Sequence, residues 1–110
     1  MALNYVQVVL DLYDGEGNPL SAGTVTLTPS EVVTDSTDHL VLTQQPIVVR
    51  LFNNPLPTVR ILATDNTSLT PSGWRWQIAG NYPGAAPAAQ YPVSFANGVT
   101  QYLSQLVAGS

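Results

Sequence analysis

The sequence predicts an all-β domain: a β-sandwich of about seven to eight short strands in two sheets packed face to face. Three observations favour this fold. Apolar and polar residues alternate in short runs, turn-forming residues recur roughly every 8–12 positions, and no long segment has the period of a helix. The chain has 110 residues and no repeat or linker, so residues 1–110 are expected to form one domain.

The first part of the chain predicts two strands joined by a turn. In "NYVQVVLDLY" the apolar residues that share one face of a strand are Val6, Val8, Leu10 and Leu12. "DGEGNPLSAG" follows and is dense in Gly, Asp and Asn, which favour tight turns. "TVTLTP" alternates again, so we expect Val25 and Leu27 to face inward and the threonines outward.

The middle of the chain predicts three more strands. "SEVVTDSTD" is polar and predicts a loop or a short edge, whereas "HLVLTQQ" and "IVVRLF" are typical of strands. Pro46 separates these two segments, and we expect the break between the strands there, since proline is tolerated only at the start or the edge of a strand. "NNPLP" then predicts a turn into the strand "TVRILATD".

The last part predicts a loop in "NTSLTPSG" and a strand in "WRWQIAG", with Trp74, Trp76 and Ile78 on one face. "NYPGAAPAAQ" predicts a flexible or polyproline-like loop. "YPVSF" and "VTQYLSQL" predict the closing strands, and Asn97-Gly98 is the strongest hairpin signal between them.

The charge content excludes several classes of partner. Only 9% of the residues are charged, and three arginines against seven acids give a net charge of −4. Three cations neutralise few phosphates, so nucleic acid is not an expected partner, and anionic membrane surfaces are disfavoured for the same reason. No apolar run reaches about 18 residues, so no membrane span is expected. The N-terminal segment lacks the basic start of a signal peptide.

The same composition predicts an exterior that other chains cover. Hydrophobic residues make up 45% of the chain, whereas small soluble domains normally carry more charge, which protects their sheet edges. Arg50, Arg60 and Arg75 are expected on the outer faces of their strands. The alternative is a free domain whose outer face consists of Thr, Ser, Asn and Gln.

Trp74 and Trp76 allow three interpretations. On a strand both indoles lie on one side, where they supply bulk to a core, contact a partner, or form a stacking platform for a ligand. The pattern Trp-x-Trp-x-Ile is expected within a strand rather than at a loop tip, so the sequence favours core packing.

Candidate chemistry in the sequence is weak. Asp14, Glu16 and Asn18 start like a calcium loop, but Pro19 and Val25 stand where such a loop needs Gly and Glu. "TDSTDH" crowds Asp35, Ser36, Asp38 and His39 into one loop, whereas a hydrolytic triad draws on separate segments. His39 is the single histidine and there is no cysteine. We therefore expect no enzyme activity, no metal site and no cofactor.

The order of the segments resembles a module of minor tail proteins of actinobacterial phages. The resemblance covers about residues 8–106, and "LATDNTSLTPSGW" is its most specific stretch. It implies an immunoglobulin-like or prealbumin-like β-sandwich, similar to carboxypeptidase-regulatory domains, in which Gly73 and Trp74 are structural. "NNPLPTVR" and "GAAPAA" depart from the pattern of that family, and both departures add apolar surface.

The resemblance implies a non-enzymatic structural protein of the virion, a minor tail or tail-tip subunit that assembles with other virion subunits or with copies of itself. A head-decoration or collar protein is an alternative. The expected contact positions are Phe52, Leu56, Tyr82, Pro83, Ala85, Ala86, Ala88 and Ala89. A different alternative is a module that binds host-surface glycans, with Trp76, Tyr82 and Tyr91 as stacking residues.

Overall fold

A computed structural model describes residues 3–20, 22–35, 39–51, 56–82, 84–85 and 87–108, and it confirms the all-β class. The described residues form ten short strands, which exceeds the expected number because two segments assigned to loops also pair. The strands are β1 Tyr5–Val9, β2 Thr24–Pro29, β3 Val33–Asp35, β4 Leu40–Leu42, β5 Ile47–Arg50, β6 Thr58–Leu62, β7 Leu69–Thr70, β8 Trp76–Asn81, β9 Ala89–Tyr91 and β10 Thr100–Tyr102. A 3-10 helix spans Phe95–Asn97, and helix α1 spans Leu103–Ala108.

The strands form three sheets. The first has the order β10-β1-β6, the second β5-β2-β8-β9, and the third β4-β3-β7. Every pairing is antiparallel except that of β1 with β10, which is parallel. Strand β2 pairs with β5 in the second sheet, and β3 pairs with β4 in the third. The continuous segments β2-β3 and β4-β5 therefore run antiparallel along each other and link the two sheets.

The core lies between the first and second sheets, where the alternation of the sequence places it. Val6 and Val8 of β1 and Val25 and Leu27 of β2 are at most 1% exposed. These residues belong to one apolar cluster with buried residues of β6 and β8. The indole Nε1 of Trp76 in β8 donates to the Leu62 carbonyl oxygen of β6 at 2.9 Å, which ties the two sheets together.

The turn after β1 and the outward arginines agree with the sequence. The Asp14 Oδ1 atom accepts hydrogen bonds from the backbone N–H groups of Glu16 and Asn18, at 2.9 and 3.0 Å. The carboxylate thus closes a tight turn instead of facing a cation. Arg50, Arg60 and Arg75 are all exposed.

The segment expected to be a loop or short edge, 30–38, contains β3, which is the central strand of the third sheet. Val33 is fully buried, and Leu69 of the adjacent strand β7 is 4% exposed. Asp35 is 1% exposed, and the Ser68 hydroxyl donates to its Oδ2 atom at 3.0 Å. The expectation allowed a short edge strand but not a central, buried one, because burial of the Asp35 carboxylate depends on a hydroxyl donor 33 residues away.

The hairpin expected at Asn97-Gly98 does not form. Phe95–Asn97 is a 3-10 helix instead, because the Asp65 carboxylate accepts hydrogen bonds from the Phe95 N–H and the Ser94 hydroxyl, at 3.1 and 2.7 Å. The expected strand "YPVSF" is replaced by β9, which ends at Tyr91. Strand β10 then lies parallel to β1.

The last expected strand is correct only in part, because "VTQYLSQL" changes from strand β10 to helix α1 at Leu103. The Asp11 Oδ1 atom accepts a hydrogen bond from the Ser104 backbone N–H at 3.0 Å, and this anchors the first turn of the helix. Leu103 and Leu106, three positions apart, are 5% and 7% exposed. Residues three positions apart lie on the same face of a helix but on opposite faces of a strand, so the helix allows both leucines to be buried.

Candidate binding groove

The two tryptophans belong to the core. Trp74 is 1% exposed and Trp76 is 2% exposed, and their ring centroids are 5.6 Å apart with the planes tilted by 56°. The interpretation as core packing is therefore confirmed. The glycan-stacking alternative needs a correction at Trp76, because a ring that the protein covers on both faces offers no surface to a sugar.

Tyr82 and Tyr91 both line an apolar cavity of about 240 Å³. Tyr82 follows the end of β8, whereas Tyr91 lies in β9, where it pairs with Trp76. The side chains of helix α1 close the opposite wall. We call this cavity the Tyr82 groove; its lining includes Leu12, Gly80, Tyr82, Tyr91, Leu103 and Val107. Both tyrosines are half-buried, so each keeps part of its ring accessible.

Two glycines position the Tyr82 side chain. A Cβ atom on Gly80 would collide with the Tyr82 ring, and a Cβ atom on Gly23 would lie 2.8 Å from the Tyr82 Cβ. Gly23 also has a φ of +103°, a conformation that side chains with a Cβ rarely adopt. The ring therefore lies directly on the backbone of β8, and this position forms one wall of the groove.

A second groove of about 390 Å³ adjoins the first at helix α1. Leu12, Leu103 and Val107 line both cavities. Asp11 and Tyr13 complete the second groove, and Tyr13 is 52% exposed while Val107 is 50% exposed. The two grooves thus form one apolar depression with Val107 between them.

One acidic residue, Asp11, lines this depression, and two more follow it closely in the sequence. Asp11 lines the second groove, and Asp14 and Glu16 are exposed on the turn that follows it. The residues that line the two cavities include no arginine. The depression therefore combines an apolar floor with negative charge on one side.

The edge formed by β4 and β5 is a separate exposed surface. Leu51 N–H donates to the Gly23 carbonyl, so by the alternation of antiparallel pairing the backbone groups of Val48 point away from β2. Val41 and Val48 are 61% and 62% exposed, and residues 40–49 contain no Asp, Glu, Lys or Arg. Pro46 immediately precedes β5 and is two positions before Val48, so its backbone nitrogen also points away from β2. Proline has no N–H group, so this edge lacks one donor.

The expected contact residues are only partly brought together. Tyr82 lies in the groove, Ala89 pairs with Ile78 in the second sheet, and Ala88 is exposed. Leu56 and Ala85 are half-buried and do not line either groove. Phe52, Pro83 and Ala86 lie outside the described residues.

The sequence interpretation missed Leu12, Leu103 and Val107 as groove residues. Leu103 and Val107 are four positions apart, which places them on the same side of a helix, but their segment was assigned to a strand. The helical spacing of Leu103, Leu106 and Val107 is the signal that could have revealed this wall.

The structure describes two of the four candidate catalytic residues. Asp35 is buried, whereas His39 is exposed; Ser36 and Asp38 lie outside the described residues. Among the residues that the structure describes, no three His, Cys, Asp or Glu side chains are grouped closely enough to hold a metal ion. In the same part of the chain, no helix is sufficiently long and apolar to cross a membrane.

Asp65 is a structural acid at the turn before β7. Partial burial alone would raise the pKa of its carboxyl, but the hydrogen bonds from Ser94, Phe95 and Ala96 outweigh it and lower the pKa below the ordinary value of 3.8. The charged form of Asp65 therefore stabilises the 3-10 helix.

Comparison with known proteins adds no relative. No family model matches the chain, no curated protein matches it, and no solved structure matches its fold.

Proposed function

We propose that the chain is a non-enzymatic structural subunit that acts by assembling with other chains and, on its resemblance to phage minor tail modules, that it belongs to the tail or tail tip of a virion. The proposal needs no catalytic residue and no cofactor. It requires surfaces that remain apolar in the free chain and are covered in the assembly. A head-decoration or collar position would use the same surfaces.

The observation that carries the proposal is the open β4-β5 edge. A strand edge presents unpaired backbone N–H and C=O groups, and free proteins usually protect such edges with charge. Here residues 40–49 carry no charged side chain, and Val41 and Val48 are more than half exposed. A neighbouring chain that pairs with or packs on this edge would remove the apolar surface from water.

Solution mass and particle composition test the assembly role. We expect the purified chain to associate as its concentration rises, and to be present in purified phage particles by mass spectrometry. The double variant Val41→Lys, Val48→Lys should reduce incorporation about tenfold, because charges at an edge oppose pairing. Ser72→Lys, an exposed change in another loop, is the control and should incorporate normally. A stable monomer that is absent from particles would refute the proposal.

Glycan binding is a second candidate, since Tyr82 and Tyr91 line one groove and both keep accessible ring surface. A sugar would stack on these rings. Binding of the chain to host wall polysaccharides, measured before and after Tyr91→Ala, tests this candidate. If the groove binds glycans, a polysaccharide column should retain the wild-type chain but not the Tyr91→Ala variant. A wild-type chain that is not retained would exclude glycan binding.

A further inference from the structure

We propose that the Tyr82 groove and the adjoining groove take a short polypeptide segment of a different chain, with an apolar anchor residue flanked by Lys or Arg. This inference rests on the proposed assembly role and names the partner chemistry at one surface. The β4-β5 edge is a separate surface and is not required for it.

The size and lining of the depression indicate side chains as the occupant. The Tyr82 groove, at about 240 Å³, is smaller than the 300–1,000 Å³ typical of sites for drug-sized ligands, and the adjoining groove, at about 390 Å³, lies at the low end of that range. Its wall is formed mainly by Leu12, Ile78, Tyr82 and Leu103, which offer few polar groups. A sugar or nucleotide needs several convergent hydrogen-bonding groups, whereas an apolar side chain needs only dry contact.

The shared wall of the two grooves indicates that the occupant is longer than one residue. Leu12, Leu103 and Val107 line both cavities, so a segment crossing Val107 would contact both. Val107 and Tyr13 are each about half exposed. An occupying segment would bury them, as apolar anchors do at the centre of protein interfaces.

Charge complementarity indicates that the flanks of the segment are basic. Asp11 lines the second groove, Asp14 and Glu16 follow it within five residues along the chain, and no arginine is among the residues that line either cavity. The Asp11 carboxylate also accepts hydrogen bonds from the backbone N–H and the hydroxyl of Ser104. With Asp11 in the lining and a chain net charge of −4, a basic segment would be attracted to this surface more strongly than a second acidic copy. A different, basic chain is therefore favoured over self-association at this surface.

A matched set of peptides tests the inference. Three capped peptides share a Leu-Phe core and carry two Lys, two Ser or two Glu residues on each side. Each is titrated into the isotope-labelled chain, and amide chemical shifts are followed by NMR. We expect shifts at Gly80, Tyr82 and Val107, with the Lys peptide binding about tenfold more tightly than the Glu peptide at low salt, and less difference at high salt.

Two charge-reversal variants form the control pair. Glu16 and Glu31 are both exposed, but Glu16 is on the acidic turn while Glu31 follows β2 at the opposite end of the second sheet. Glu16→Lys should weaken binding of the Lys peptide about threefold to fivefold, as removal of one exposed charge contact allows. Glu31→Lys should change it by less than about twofold, because the charge is remote and screened. The NMR spectrum of each free variant confirms its fold.

The outcomes separate the groove from the assembly role. Lys-peptide preference, groove-localised shifts and weakening by Glu16→Lys alone would support the inference. No groove shifts with any peptide, equal binding of the three peptides, or shifts that arise only from self-association would overturn it. Absence of the chain from phage particles, with peptide binding intact, would refute the virion role and leave the groove assignment standing.

Discussion

The two ends of the second sheet differ in how far they bury aromatic side chains. At the end where β8 begins, Trp76 pairs with Pro29 and Tyr91 across the sheet, and both tryptophans are almost fully buried. At the end where β8 stops, Tyr82 lies on the backbone of Gly80 and keeps part of its ring accessible. A second layer thus decides the role of an aromatic residue. The first sheet covers Trp76, whereas Tyr82 shares a cavity with Leu12, Leu103 and Val107 and stays half-buried.

The largest expected difference between the two ends is in stability. Trp76→Ala should lower the free energy of unfolding by about 3–5 kcal/mol, because it leaves a large cavity in the core. Tyr82→Ala, at a half-buried site in the groove at the other end of β8, should cost about 1–2 kcal/mol. Urea denaturation followed by circular dichroism measures both. Equal losses for the two variants would contradict the distinction between a closed end and an open end.

The two tryptophans themselves can be distinguished by the same chemical change. The Trp76 indole N–H donates to the Leu62 carbonyl, whereas the Trp74 Nε1 is buried and has no hydrogen-bond partner among the residues that the structure describes. Trp76→Phe leaves a buried carbonyl without that donor, so it should cost about 1–3 kcal/mol more than Trp74→Phe. Chemical denaturation of the two variants measures the difference. A larger loss for Trp74→Phe would show that its indole N–H has a partner in solution.

A smaller effect is expected at Gly80. Gly80→Ala places a Cβ where the Tyr82 ring lies, so the ring must move; we expect a loss of about 1 kcal/mol, at the low end of overpacking costs. Binding of the Lys peptide should fall with it. Gly15→Ala is the control, since a Cβ there has no neighbour within 4 Å. Unchanged Tyr82 shifts in the Gly80→Ala spectrum would exclude this packing.

The smallest effect is the pH dependence from Asp65. Its folded-state pKa lies below the ordinary 3.8, so between these two values the unfolded chain binds more protons than the folded chain. The stabilisation is present above the unfolded pKa and is lost as pH falls through the folded pKa. Asp65→Asn should therefore flatten the fall in urea midpoint below about pH 4. An identical fall in both proteins would assign the effect to other acids.

Much of the sandwich can be predicted from the sequence because its strands follow local alternation. Val6, Val8, Val25 and Leu27 face the core as their spacing predicts. The errors arise where distant groups decide the local structure. Asp65 anchors the 3-10 helix in place of a hairpin, and Asp11 anchors α1 from 93 residues away.

The groove was predictable only in part for the same reason. Tyr82 and Tyr91 stand out as aromatic residues near a Pro-rich loop, and both line the cavity. Leu12, Leu103 and Val107 come from opposite ends of the chain, and the parallel pairing of β1 with β10 and the Asp11–Ser104 hydrogen bond bring them together. That pairing has no short-range sequence signal, because parallel strands are joined by long connections.

The most direct test is the density of the assembled particle around the Tyr82 groove, determined by electron cryomicroscopy at side-chain detail. The account predicts that an apolar side chain of a neighbouring chain occupies the groove, with a Lys or Arg of that chain beside Asp11, Asp14 or Glu16. A particle in which the chain is present and both grooves face solvent would contradict it.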